Sequence, residues 1–145
     1  MSELLLQTIN ETLKKLVADR AVAESRLSDA RTDQQHAQNA VDSAREDSER
    51  ARFARDQVRK KHSELLNHLR ARKDTPQPLW ERLTALGEEL RTLEALIVPA
   101  YDECLRREKE LEARVSAVAF AEMKFKQVTE RATQVAEELK YATPF

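Results

Sequence analysis

Residues 73–80, Lys-Asp-Thr-Pro-Gln-Pro-Leu-Trp, hold the one strong interruption of a chain that otherwise repeats a single apolar pattern on both sides of them. Pro76 and Pro78 lack amide donors, and each pushes the residue before it out of the α region, so a helix arriving from the N-terminal side ends here. Proline is tolerated in the first turn of the next helix, and Thr75 or a neighbour is a suitable cap for a second helix beginning near Leu79.

Upstream of this turn, alternate steps of three and four residues from Leu6 meet Ile9, Leu13, Leu16, Ala23, Leu27, Ala30, Ala37, Val41, Ala44, Ala51, Val58, Leu65 and Leu69. Arg20, Gln34, Ser48, Arg55 and His62 occupy the remaining steps. Downstream, the same stepping runs from Leu83 through Leu86, Leu90, Leu93, Ile97, Ala100, Cys104, Leu111, Val118, Ala121, Phe125, Val128, Ala132, Val135 and Leu139 to Ala142, with Arg107 and Arg114 as its polar members. Such sustained 3,4 spacing keeps one stripe facing one partner only in a supercoiled helix. The pattern predicts helices over 2–73 and 79–142 around a turn at 74–78, the first about 100 Å long at 1.5 Å rise per residue.

Two helices of similar length on a short connection pack side by side. The fold expected is therefore all-α, a long antiparallel helical hairpin of coiled-coil type forming a single domain over 1–145. The competing arrangement is one long open helix pairing with another copy of the chain. Pro99 falls inside the second stripe with no turn-forming cluster around it, which reads as a kink in the second helix. A true break at Pro99 would give three helices instead.

Composition supports helix and excludes much else. One Gly in 145 residues leaves little room for tight β turns or phosphate-cradling glycine loops. Twenty Ala and 5% aromatics suit narrow helix seams better than a thick core. The formal net charge of −1 offers no global field for nucleic acid or anionic lipid. No apolar run approaches the roughly 20 residues of a membrane span, and Leu4 to Leu6 is too short for a signal-peptide core. Cys104 is the only cysteine, so no internal disulfide forms. These features point to a soluble intracellular protein of cytoplasm or nucleus, without membrane insertion.

The seam is uneven. Ala23, Ala30, Ala37, Ala44 and Ala51 recur through the middle of the first helix, predicting a slender, weakly buried centre. At one end Leu4, Leu5, Leu6, Ile9, Leu13 and Leu16 are set to meet Phe125, Val128, Val135, Leu139, Tyr141 and Phe145. At the other, Leu65, Leu66 and Leu69 meet Leu79, Trp80, Leu83 and Leu86, with Trp80 mainly packed as a lock where the helices reverse. Antiparallel pairing places Arg20 near Glu130, Arg55 near Glu94, Arg107 near Glu46 and Arg114 near Asp33, each to within about one helical turn.

Catalytic chemistry finds no support. His36, His62 and His68 lie 26 and 6 residues apart, and neither interval stacks two metal ligands on one helix face. His62 reads as a seam residue and Cys104 as a small apolar filler. The carboxylates fall into i,i+4 pairs such as Glu11 with Lys15, Asp56 with Lys60, Asp102 with Arg106 and Glu122 with Lys126, which stabilise helix surface. Two helices also enclose no pocket, so an enzyme, a cofactor and a metal are all unexpected.

Candidate partner-binding residues form two groups. Arg50, Arg59, Lys60, Lys61, Arg70, Arg72 and Lys73, with Arg52 and Arg55, make 50–73 strongly basic: nine basic side chains against Asp56 and Glu64. Glu81, Glu88, Glu89 and Glu94 on the facing stretch are expected to neutralise part of this charge. Phe53, Val98, Tyr101, Leu105, Phe120 and Met123 fall off both stripes and should point outward, and Trp80 with the basic rim completes the candidate set. Val98, Tyr101 and Leu105, at i, i+3 and i+7, make a short second face beside Pro99.

In layout the chain is similar to the central stalk proteins of flagellar and type III export ATPases, to tethering and kinetochore coiled coils, and to prefoldin-like chaperone arms. That likeness is architectural and carries over no residue and no activity. The expected function is a non-catalytic spacer or stalk that docks other, helical proteins in an assembly, with a homo-oligomer as one form of it. The alternatives are a basic tip that grips an acidic polymer such as a microtubule or nucleic acid, and a stalk or chaperone part of an export machine.

Overall fold

The structure is a computed structural model that describes residues 3–74 and 76–142. Two helices account for nearly all of them: α1, Glu3–Ala71, and α2, Gln77–Ala142. The fold is an all-α antiparallel helical hairpin, and no strand occurs among the described residues.

The helix ends differ from the expected bounds at the turn. α1 stops at Ala71 rather than 73, closed by a tight bond from the Arg72 amide to the Leu69 carbonyl at 3.3 Å. α2 starts at Gln77 rather than 79, because the Pro76 carbonyl already accepts from the amides of Leu79 (3.1 Å) and Trp80 (3.4 Å). Pro76 is thus the capping position and Pro78 sits in the first turn, where its missing N–H would have had no intrahelical partner anyway. Thr75, the expected cap, lies outside the described residues, as do Ser2 and Phe145.

α2 passes through Pro99 as unbroken helix, which excludes the three-helix arrangement. Pro99 withholds the donor that the Ala95 carbonyl would otherwise receive. Both residues are on the exposed side.

Contacts divide the chain into two compact units, each an antiparallel pair of α1 and α2 segments. The turn unit comprises Gln38–Glu110; the terminal unit has described residues 3–37 and 111–142. In both, burial follows the 3,4 stripes. Every described stripe position is buried or half-buried except Arg20 and Arg114.

In the terminal unit the most enclosed side chains are Leu16, Leu27, Val118 and Ala132. Arg114 pairs with Asp33 at 3.8 Å, as the register predicts, and Arg31 reaches Glu122 at 3.4 Å. Arg20 does not pair with Glu130. Arg20 is exposed, and its guanidinium lies 5.7 Å from the Phe125 ring centre.

In the turn unit Val41 is completely enclosed, at 0% exposure, and Ala44, Ser48, Val58, Leu69, Leu83 and Cys104 are also buried. Short side chains here produce close approach and full burial of small surfaces, so the expected slenderness is compatible with a closed seam. Gly87 and His62 show that approach directly. A Cβ built on Gly87 would lie 3.7 Å from His62 Nε2 and 4.0 Å from Cδ2, ordinary contact distances. Gly87→Ala is therefore expected to stabilise the chain by about 0.5–1 kcal/mol, by removing glycine's entropy cost within a helix. Thermal unfolding of the variant checks this, and a lowered midpoint would show that His62 cannot yield.

Candidate functional site

The outward residues lie where the stripes leave them. Phe53, Val98, Tyr101 and Leu105 in the turn unit are exposed, as are Phe120 and Met123 in the terminal unit. Leu4, Leu5, Val17, Val22, Leu96, Val115 and Tyr141 are exposed as well and were not among the expected residues. Of these, Leu4, Leu5 and Tyr141 do not join the packed end expected for them, because they fall off the 3,4 stripe. Trp80 keeps 42% of its surface exposed. The open groove beside it, about 270 Å³, is lined by Gln77, Glu81, Thr84, Ala85 and Glu88, all from α2 itself.

One flank of the turn unit carries a feature that the seam pattern does not reveal. Arg45, Arg52 and Arg59 recur every seven residues on α1, and Glu108, Tyr101 and Glu94 recur every seven on α2 in the opposite direction. Arg45 bonds Glu108 at 3.1 Å and Arg59 bonds Glu94 at 3.1 Å. Between them, the Arg52 guanidinium stands 5.7 Å from the Tyr101 ring centre, where a third glutamate would complete the ladder. The heptad spacing of the three arginines was the signal available in the sequence. Reading only the seam arginines misses it, because Arg55 turns to Asp56 (2.9 Å) and Arg107 to Glu103 (2.9 Å) and Glu110 (3.6 Å) on their own helices. Glu94 is thus taken by Arg59, one turn from the expected Arg55, and Glu46 by Arg50 at 3.8 Å instead of by Arg107.

The expected surface pairs rearrange for the same reason. Arg106 prefers Glu103 to Asp102, because its planar fork reaches both carboxylate oxygens, at 2.7 and 2.9 Å. Glu122 goes across to Arg31, Asp56 goes to Arg55, and Glu11 with Lys15 forms no ion pair. Hydrogen bonds from Arg106 first, and then from Arg107, hold the Glu103 carboxyl below the usual carboxylate range. The hydrogen bond to Glu103 raises Arg106, and the Glu108 hydrogen bond raises Arg45.

A carboxyl that is more acidic when folded stabilises the fold above its unfolded pKa, near pH 4.3, and loses that contribution as pH falls through its lower folded value. Glu103→Gln is therefore expected to remove part of the loss of stability between about pH 5 and pH 3. Urea midpoints of both proteins across that window check it; equal losses would remove Glu103 from the acid response.

In the basic segment, Arg50, Arg55, Arg59 and Arg72 are ion-paired, Arg72 with Asp74 at 3.7 Å. Among the described residues Lys60, Lys61, Arg70 and Lys73 are exposed and make no ion pair. Of the four glutamates facing the segment, only Glu94 bonds one of its cations.

Each unit also has an open groove among the described residues. In the terminal unit about 480 Å³ lies over Ala23, Ala30, Ala117 and Ala121 between the exposed Val22 and Phe120. In the turn unit about 400 Å³ lies over Ala40, Ala44 and Ala100, with Asp47, Glu103 and Arg107 at its edge. Cys104 is buried with a free thiol, its Sγ 3.8 Å from Glu108 Oε1. Among the described residues no group of three or more His, Cys, Asp or Glu side chains could hold a metal, and no helix is long and apolar enough to cross a membrane.

Comparison with known protein families, with characterised proteins and with solved structures finds no match. The class of the chain is accordingly that of its fold, an antiparallel helical hairpin.

Proposed function

We propose that this chain is a non-catalytic interaction protein acting inside the cell, a coiled-coil spacer that docks partner proteins through side chains its own seam leaves outside. The observation that carries this is a division of labour along the stripes. Val41 and Leu69 are enclosed, while Phe53, Val98 and Phe120 remain at 67%, 64% and 58% exposure. A hairpin that closes its seam without those residues has apolar surface available for other helices.

A specific observation also favours a second reading, in which the tip grips an acidic polymer: Lys60, Lys61, Arg70 and Lys73 carry unpaired charge. Salt separates the two. Partners that co-purify without cross-linking on the tagged full chain from its native cell and dock on apolar faces are expected to stay bound as sodium chloride rises from about 0.1 to 0.5 M, and to be lost from a Phe53→Glu, Val98→Glu, Phe120→Glu variant. Binding that collapses over that range and ignores the triple variant would replace the spacer with the acidic-polymer reading, since each released counterion steepens salt dependence.

A further inference from the structure

We draw no further inference here: the strongest candidate, the open groove of the terminal unit that runs over Ala23, Ala30, Ala117 and Ala121 between Val22 and Phe120, is a stripe of small residues under an exposed apolar rim, and nothing in the structure shows what covers it.

Discussion

Replacing Pro99 with alanine is expected to raise the unfolding free energy by about 3 kcal/mol, the difference between proline and alanine inside a helix. The residue lies on the exposed side of an otherwise continuous α2, so its ring fills no part of the seam. The variant restores the bond from residue 99 to the Ala95 carbonyl and removes the ring's clash with the preceding turn. The corresponding rise in melting temperature is roughly 10 °C for a chain of this size. A gain below about 1 kcal/mol would mean that the surrounding turns already absorb proline's cost. Spin labels at residues 92 and 106 read the geometry separately: a proline bend relaxed by alanine lengthens that distance. A residue that costs this much beside Val98 and Tyr101 breaks a local helix rule without a compensating contact, and such breaks concentrate at functional positions.

Most of the fold was legible because one physical demand dominates it. A helix that buries a narrow stripe must repeat apolar residues at three and four, and the repeat survives Gln34, Ser48, Arg55 and His62 because each is half-buried or buried in place. The outward side of Phe53, Val98, Tyr101, Leu105, Phe120 and Met123 follows from the same rule applied in reverse. The helix start at Gln77 was less legible, because it depends on the Pro76 carbonyl accepting two amides, a matter of local geometry rather than of pattern.

Ion pairs were the least legible part. Long side chains choose among carboxylates within one turn on either helix, at energies too similar for spacing to rank. Arg114 found its expected Asp33, whereas Arg20 stacked on an aromatic ring and Arg107 stayed on its own helix. The ladder of Arg45, Arg52 and Arg59 stands outside the seam, so a search for core positions passes over it. The basic segment was visible as charge, but which cations remain unpaired depends on the pairs made by Arg50, Arg55, Arg59 and Arg72.

The reversal of the chain is expected to be locked by Leu69 rather than Trp80. Leu69 is 4% exposed at the last buried stripe position of α1, and Leu83 holds the matching first position of the stripe on α2. Leu69→Ala should cost about 3 kcal/mol, within the range for truncating an enclosed leucine, because the two helices converge on a fixed turn and cannot collapse around the missing atoms. Trp80 has the larger side chain, yet much of its surface meets solvent, so Trp80→Ala should cost only about 1–2 kcal/mol once its burial is scaled down. Urea unfolding of both variants, compared at equal m-values, decides the order. If Trp80→Ala proved the more damaging, the indole would be the lock and the tip would offer no spare apolar surface to a partner. With the order expected here, the exposed part of the indole stays available, and Trp80→Ala can be used in binding experiments on a chain that remains folded.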